Sequence, residues 1–387
     1  MQILVPIVTL RPKRNRMNRD QLVYAAAIAN CFYGNPRVSR GLAGLFDSPS
    51  DIFTLDRKEV EERCPYLEKH GQRLFMDDTL ESAQRDIAWA ENNGLDTIYI
   101  GDNAYPSRLR ECEDAPILLY CKGRADLSAQ RVVAVVGSRG ATQYGRKYCD
   151  TLVEGLSKCG VKPVIVSGLA KGVDSFAHSS ALRYHLPTVA VMGTGFNEIY
   201  PPCNTNLAAD IVTHGGALVT EFSPFVESFP VNFVRRNRII AGMSDCVVVV
   251  ESRQKGGGLI TAKMAMDYNR MVFAFPGRVD DYTFKGCNEL IEQETACIAT
   301  GAGSILKGMG WDTASAQLRM AFEDDSGGED ESLNGRLLRY LEEHGEADIG
   351  ELCDFLALSI RELSLPLVEL ELEGRICVIS GNKYSLR

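Results

Sequence analysis

Two apolar runs in the middle of the chain are each followed by a turn whose residues could bind an anion. The runs are Val132–Val136 and Val164–Val166. The turns that follow them are Gly137-Ser138-Arg139 and Ser167-Gly168-Leu169-Ala170-Lys171-Gly172. A buried strand, a small-residue turn and a helix start bring free backbone N–H groups and the helix dipole together. With Arg139 and Lys171 in them, these two turns predict a surface that binds phosphate groups.

Two more turns of this kind follow later apolar runs. They are Gly193-Thr194-Gly195 and Gly256-Gly257-Gly258, the second directly before a helical pattern. A single glycine turn also serves as a plain connection between elements. Four of them at one edge of one sheet favour a ligand that carries several phosphates.

The turns do not match a nucleotide-cofactor motif. Gly137-Ser138-Arg139 lacks the G-x-G-x-x-G spacing of a dinucleotide site. Gly140 to Gly145 has the four-residue gap of a P-loop but lacks the Lys-Ser/Thr ending. We therefore expect neither ATP hydrolysis nor a bound cofactor.

A basic cluster with aromatic neighbours indicates a different phosphate-carrying ligand, a single strand of nucleic acid. The cluster is Arg235-Arg236-Asn237-Arg238, and Phe225, Phe229 and Phe233 precede it in a predicted loop. In proteins that bind single strands, cations follow the backbone while aromatic rings stack on unpaired bases. The same residues also fit a core of phenylalanines with arginines in solvent, and the nearby glycine turns favour the first interpretation.

The pattern of nucleophiles and metal ligands predicts no catalytic centre. His178 has no partnered serine or cysteine nucleophile and is interpreted as structural. Asp174 either caps the next helix or contacts a ligand. Twelve cysteines without a C-x-x-C pair and only five histidines favour reduced, cytosolic thiols and no metal site.

These residues are positioned by a repeating strand–turn–helix pattern. The predicted strands are Asp96–Ile100, Ile117–Cys121, Val132–Val136, Val164–Val166, Thr188–Val191, Ala217–Thr220, Cys246–Val250, Val272–Phe275 and Cys297–Thr300. The helices predicted between the last seven are Tyr144–Cys159, Phe176–Tyr184, Asn204–His214, Arg236–Gly242, Leu259–Tyr268 and Asn288–Glu294. Strands that are apolar throughout are covered on both faces. The fold class is therefore α/β, with a doubly wound, mostly parallel sheet that binds ligands at the carboxyl ends of its strands.

The flanking regions differ from the sheet in composition. We predict a tail at 1–16, a small helical domain at 17–80, the sheet domain at 81–311, an acidic linker at 312–332 and a C-terminal domain at 333–387. The last domain has three helical patterns and a short hairpin, the outline of a winged helix. The N-terminus has an apolar run before its basic residues, the reverse of a secretory signal. No apolar run is long enough to span a membrane.

Net charge does not exclude a polyanionic ligand. Of the formal charge of −9, residues 312–332 carry −6 and residues 333–387 carry −4, which leaves about +1 on residues 1–311. A basic groove on the main body is therefore possible. The C-terminal domain is a poor polyanion binder.

Six motifs in order resemble the DprA/Smf family of bacterial DNA-processing proteins. They are GSRGATQYG, SGLAKGVDSFAH, GTGFNEIYPPCN, RRNRIIAG, GGGLITA and FPGR. The resemblance implies an extended Rossmann-like fold, flanked by a SAM-like, helix-hairpin-helix-type N-terminal domain and a winged-helix module. It also implies a homodimer that binds single-stranded DNA without sequence preference and loads RecA recombinase onto it in natural transformation.

Carried over by position, the resemblance implies a set of residues that line the DNA pocket. They are Ser138, Arg139, Ser167, Gly168, Lys171, Arg236 and Arg238, with Phe233 placed to stack on a base and the Gly137, Gly172 and Gly256–Gly258 turns shaping the backbone cradle. The sequence departs from the family pattern in two regions. The stretch Glu221–Phe233 has no Lys or Arg where a basic residue is expected, and Gly256 and Gly258 stand where small hydroxyl residues are usual.

Two other functions are alternatives to single-stranded DNA binding. A phosphoribohydrolase-like enzyme would use the phosphate-binding edge and Glu251 at a strand end, but the chain lacks the Gly-Gly-x-Gly-Thr turn. A transcription regulator would read duplex DNA through the C-terminal domain, and the charge of −4 there argues against it.

Overall fold

The structure is a computed structural model that describes residues 17–160, 162–311, 333–356, 358–379 and 383–386. It contains two compact units, one ending at Trp311 and the other starting at Asp312. The predicted tail at 1–16 and the predicted linker at 312–332 lie outside the described residues. The separation of a helical domain at 17–80 from the sheet domain stays a prediction.

A nine-stranded sheet forms the centre of the first unit. Its strands are β1 (Asp96–Tyr99), β2 (Leu118–Gly123), β3 (Val132–Val136), β4 (Val164–Ser167), β5 (Thr188–Val191), β6 (Ala217–Thr220), β7 (Cys246–Val249), β8 (Met271–Ala274) and β9 (Cys297–Ile298). Their order is β1-β2-β6-β5-β4-β3-β7-β8-β9. The seven strands from β6 to β9 in this order are parallel, and β2 and β1 pair antiparallel at one edge. All nine predicted strands are present, and the fold is α/β and Rossmann-like.

Strands β3 and β7 are apolar at every position because both faces of the sheet are covered there. In β3, Val132, Ala134 and Val136 belong to one hydrophobic core, whereas Val133 and Val135 belong to another. A fully buried valine contributes about 1.5–3 kcal/mol relative to an exposed one. A continuous apolar run therefore stabilises a central strand on two sides at once.

Fourteen α-helices are described in the first unit. They are α1 (Arg19–Phe32), α2 (Pro36–Leu45), α3 (Asp51–Thr54), α4 (Arg57–Arg63), α5 (Tyr66–His70), α6 (Asp77–Asn92), α7 (Ser107–Arg110), α8 (Gln143–Lys158), α9 (Val173–Arg183), α10 (Thr205–Thr213), α11 (Pro230–Met243), α12 (Gly257–Asp267), α13 (Lys285–Glu292) and α14 (Ala302–Gly308). Helices α8, α9 and α14 cover one face of the sheet, and α11 and α12 cover the other. Among the described residues, no helix is long and apolar enough to cross a membrane.

The N-terminal helices share a core with the sheet. Helix α1 packs against α6 and contacts β1 and β2. The buried side chains of α1, α2 and α6 belong to the same cluster as Ala134 of β3 and Ile239 of α11. The Arg235 guanidinium lies 5.4 Å from the centroid of the Tyr33 ring, which joins α11 to this helical region.

Helix α11 starts six residues earlier than the sequence predicted. The expected start was Arg236, but the helix begins at Pro230. Proline fits the first helical position because the N–H it lacks would have no intrahelical partner there. As a result Phe233 lies on the first turn of the helix and not in a loop.

The second unit has its own core and its own small sheet. Its elements are α15 (Leu333–His344), β10 (Glu346–Asp348), α16 (Ile349–Leu356), α17 (Ile360–Leu372), β11 (Ile376–Ile379) and β12 (Lys383–Leu386). The strands are antiparallel in the order β10-β12-β11. Three helices and a hairpin agree with the predicted elements, and β10 was not predicted. The winged-helix assignment stays a prediction.

The strand order creates a switch point between β3 and β7. From β3 the chain passes outward through β4, β5 and β6, and it then crosses to β7 on the other side of β3. The connections that leave β3 and β7 therefore diverge and open a crevice at the carboxyl ends of these strands.

Candidate functional site

A pocket of about 530 Å³ lies at the carboxyl ends of β3 and β7, and we call it the switch-point pocket. Eight of the residues expected to bind phosphate line it: Gly137, Ser138, Arg139, Phe233, Arg236, Gly256, Gly257 and Gly258. A smaller pocket of about 130 Å³ shares Arg139 and Phe233 and adds Gly168 and Lys171. Ser167, Gly172 and Arg238 line neither pocket.

The turn after β3 requires its glycine. A Cβ at Gly137 would lie 2.6 Å from Val173 Cγ2 and 2.7 Å from the Glu251 carbonyl oxygen. The Ser138 N–H donates to that same carbonyl at 2.8 Å, and the Ser138 carbonyl accepts from the Val173 N–H at 3.1 Å. The turn is therefore held between β7 and the start of α9, and Arg139 projects from a fixed base.

The turn after β7 lies directly against the turn after β3. A Cβ at Gly258 would lie 3.1 Å from the Gly137 Cα, so the two backbones are in contact. Helix α12 begins at Gly257, where the first backbone N–H groups have no intrahelical acceptor. This helix start therefore places N–H donors and the positive end of a dipole at the pocket wall.

Arg139, Phe233 and Tyr200 form an open stack. The exposed Arg139 guanidinium lies 5.3 Å from the centroid of the Phe233 ring, and the Tyr200 and Phe233 centroids are 5.1 Å apart. A Cβ at Gly193 would lie 2.6 Å from Phe233 Cδ1, so the turn after β5 makes room for the ring. This stack combines a cation with aromatic faces at the pocket wall.

Arg236 lies in the floor of the switch-point pocket. It is 3% exposed, and its guanidinium donates to the carbonyl oxygens of Gly168 and Val191. Burial lowers the pKa of Arg236 to about 10, so it is still cationic at neutral pH. Arg236 lines the pocket, and its guanidinium also fixes the turn after β4 and supplies a buried positive charge.

Arg238 points away from the site. Its buried guanidinium pairs with the Glu221 carboxylate and donates to the Asp114 carbonyl oxygen at 2.6 Å. Ser167 is also turned inward, since its hydroxyl donates to the Val135 carbonyl oxygen at 2.6 Å. The structure gives both side chains a structural role in place of the pocket contact expected from the sequence.

Gly172 is needed for the shape of the second turn. It adopts φ of 80°, and a Cβ there would lie 2.2 Å from the Ser138 carbonyl oxygen. The two turns that the sequence placed side by side therefore touch each other. Lys171, which precedes Gly172, is exposed beside the smaller pocket.

The acidic and imidazole groups near the site have structural partners. Asp174 accepts from the Ala170 N–H at 3.3 Å and is not the helix cap, which is Gly172. His178 is fully buried beside Thr188 Oγ1 at 2.7 Å, and burial lowers its pKa to about 3. Among the described residues that line the switch-point pocket, Asp174 is the single carboxylate and none is His or Cys.

Glu251, the candidate of the enzyme hypothesis, is engaged in capping. It is fully buried, and one carboxylate oxygen accepts from the Thr142 N–H at 2.9 Å and from the Thr142 hydroxyl at 2.7 Å. Thr142 in turn caps α8 by accepting from the Gly145 N–H. This carboxylate therefore fixes the start of α8 and does not line the pocket.

Sequence reasoning did not select three of the cationic or aromatic side chains that line the two pockets. Arg253 and Lys255 line the switch-point pocket, and Tyr200 lines the smaller one. The two cations directly precede the Gly256–Gly258 turn, a signal that could have identified them. Within the described part of the chain, no three His, Cys, Asp or Glu side chains are grouped to hold a metal ion.

Comparisons with known proteins agree with this architecture. A family model described as DNA recombination-mediator protein A matches residues 96–310. Protein Smf of Escherichia coli is 33% identical over 323 residues, which cover 82% of this chain and 84% of that protein. The DNA processing protein DprA of Streptococcus pneumoniae is 40% identical over 200 residues, which cover 52% of this chain and 70% of that protein. The X-ray structure of DprA from Streptococcus pneumoniae matches with a TM-score of 0.59 and 31% identity, over 76% of this chain and 98% of that one.

Proposed function

Since the chain belongs to the DNA recombination-mediator protein A family, which includes the DprA and Smf DNA-processing proteins, we propose that it binds single-stranded DNA in the switch-point pocket. The observation that carries the proposal is the stack of Arg139, Phe233 and Tyr200 beside the start of α12. It combines a phosphate-binding cation, two aromatic faces and backbone donors in one crevice.

The chemistry of the stack favours an unpaired strand over a duplex. Aromatic side chains stack on bases only where the bases are not paired, at about 1–3 kcal/mol each. Every base has a π-face, so binding of this kind does not depend on sequence. Arg139, Lys171 and the N–H groups of α12 are suited to the phosphates between those bases.

Family membership supports a wider proposal about the role of the protein. We propose that it acts in the cytoplasm as a homodimer that loads RecA recombinase onto the bound strand during natural transformation. We also propose that it has no catalytic activity of its own. The acidic second unit suits contact with protein better than with DNA, and its helix α17 exposes Ile360, Leu365 and Val368 by 58%, 60% and 50%.

The enzyme alternative receives no support from the pocket. A phosphoribohydrolase-like mechanism would need Glu251 at the ligand, and this carboxylate caps α8 in the interior. Incubation with nucleoside monophosphates should therefore release no base.

The proposal is tested by titrating labelled oligothymidylate and a duplex of equal length at two salt concentrations. The single strand should bind more tightly, with an affinity that falls as salt rises. Arg139→Ala should weaken single-strand binding about tenfold or more, the loss expected for a hydrogen bond to a charged group. It should also reduce the log–log salt slope by about 0.7.

Arg183→Ala is the matched control. Arg183 is an exposed arginine at the far end of α9, where it pairs with Asp150 at 2.7 Å. Its removal should leave the affinity unchanged. Equal affinities of the wild type and Arg139→Ala, or binding without salt dependence, would refute the proposal.

A further inference from the structure

A second arginine–aromatic pair lies on the β7–β8 side of the switch-point pocket. Arg253 follows β7 and lines the pocket, and Tyr282 follows β8. The Arg253 guanidinium lies 4.8 Å from the centroid of the Tyr282 ring. Tyr282 is 61% exposed, so packing in a core does not account for its position.

The loops that carry this pair are held by internal hydrogen bonds. The Arg253 carbonyl accepts from the Gly256 N–H at 2.9 Å, and the Ser252 carbonyl accepts from the Gly286 N–H at 2.9 Å. The second bond ties the loop after β7 to the start of α13, where the loop after β8 ends. The exposed aromatic ring is therefore presented from an ordered base.

Two side chains fix the loop that carries Tyr282. Asp281 accepts from the N–H of Thr283 at 2.9 Å and from its hydroxyl at 2.7 Å. Asn288 accepts from the Gly277 N–H at 3.0 Å. The backbone on both sides of Tyr282 is therefore fixed by hydrogen bonds.

The charges around the pair are positive on the pocket side. Among the described residues, no carboxylate forms an ion pair with Arg253 or Lys255, and both side chains are exposed at the pocket. Arg278 and Asp280 pair with each other at 3.2 Å. Hydrogen bonds from Thr283 lower the pKa of Asp281, so this carboxylate is ionised and directed at Thr283.

We propose that Arg253 and Tyr282 form a second subsite that binds a base and its phosphate. The inference rests on the proposed function, because the strand that reaches this pair is the one held at Arg139 and Phe233. A base would stack on the Tyr282 ring, and the Arg253 and Lys255 cations would contact the adjoining phosphates. The single strand would therefore run along the sheet edge from β5 to β8.

The sheet geometry sets the length of strand that can use both subsites. Phe233 contacts the turn after β5, and Tyr282 lies after β8, four strand-to-strand steps away. At about 4.8 Å for each step this is roughly 19 Å. With bases stacked at about 3.4 Å, it corresponds to roughly six nucleotides.

The test is a length series of labelled oligothymidylates, from four to twelve nucleotides, titrated against wild type, Tyr282→Ala, Tyr282→Phe and Arg253→Ala. Tyr282→Ala should weaken binding of the ten- and twelve-nucleotide strands about five- to a hundredfold, the loss expected for one stacked base. It should change binding of the four-nucleotide strand less than about twofold. Tyr282→Phe should bind as the wild type does, because the ring is kept.

Tyr144→Ala is the control, since Tyr144 is 65% exposed on α8 and lines neither pocket. Thermal melting shows whether each variant is folded. If the wild type binds long strands and Tyr282→Ala binds every length as tightly, the second subsite does not exist and the proposed function stands. An equal loss at all lengths would also overturn the second subsite. No binding by the wild type would refute the proposed function itself.

Discussion

The buried ion pair of Arg238 and Glu221 links α11 to the residue that follows β6. Both side chains are buried, and the Arg238 guanidinium also donates to the Asp114 carbonyl. The Tyr268 hydroxyl donates to the Asp114 carboxylate at 2.6 Å and extends this network. Removing one member of such a pair leaves the other charge buried without compensation.

Arg238→Met should therefore lower the free energy of unfolding by about 3–5 kcal/mol. The folded fraction should bind oligothymidylate as the wild type does, because Arg238 lines neither pocket. Urea denaturation and titration at low temperature measure the two effects. The double variant Glu221→Met/Arg238→Met should recover part of the stability, since it leaves no unpaired charge.

A variant with full stability and weakened DNA binding would instead place Arg238 in the interface. Such a result would support the DNA contact that the sequence predicted for Arg238.

The three arginines Arg235, Arg236 and Arg238 of the RRNR cluster have different surroundings. Successive residues on a helix point in different directions. Accordingly Arg235 contacts Tyr33, Arg236 reaches the floor of the pocket, and Arg238 pairs with Glu221. Residue types predicted a basic cluster at the right place along the chain. The faces could be assigned only once the start of α11 and the packing of its neighbours were known.

At the scale of elements, the contact between the turns after β3 and β7 decides the shape of the pocket. Gly137 leaves no room for a side chain, because Val173 and the Glu251 carbonyl lie within 2.7 Å of its virtual Cβ. Gly257, one residue before the glycine that touches Gly137, has nothing within 4 Å of its virtual Cβ. The two positions therefore allow a close-packed glycine to be compared with an unobstructed glycine in the same pocket.

Gly137→Ala should lower the free energy of unfolding by about 1–3 kcal/mol, the usual range for overpacking a close-packed position. It should also weaken oligonucleotide binding, because the turn that carries Arg139 must shift. Gly257→Ala should preserve stability, because nothing lies within 4 Å of a Cβ at this position. Thermal melting and titration of the two variants measure this contrast, and equal behaviour would show that the close approach is not required.

The elements were more predictable than their arrangement. Continuous apolar runs identified central strands such as β3 and β7, because burial on both faces removes polar residues from them. The start of α11 was missed, because Phe229-Pro230-Val231 has the composition of a loop although proline also suits a helix start. Contacts such as Phe233 with Gly193 depend on strand order, which local sequence does not encode.

At the scale of the whole molecule, charge is separated along the chain. Residues 312–387 carry −10, whereas residues 1–311 carry about +1. The second unit has a hydrophobic core of its own, built around Leu341, Leu352 and Leu367. The first unit contains every residue of the switch-point pocket and all nine strands of the central sheet.

Deleting residues 312–387 should leave the affinity for oligothymidylate within about twofold of the wild type at moderate salt. At low salt the affinity should rise, because a segment with a net charge of −10 no longer repels the polyanion. Fluorescence anisotropy at two salt concentrations measures both effects. A large loss of affinity would instead indicate that the second unit binds DNA.

The contact between Gly137 and Gly258 also has a consequence for synthesis of the protein. About 120 residues separate the two turns in the sequence. At a ribosomal rate of about 5–20 residues per second, the second turn follows the first by roughly 6–24 s. During that interval the ribosome has added Arg139 but not helix α12. The nascent chain therefore lacks the side of the pocket that α12 forms. The switch-point pocket is completed only late in translation.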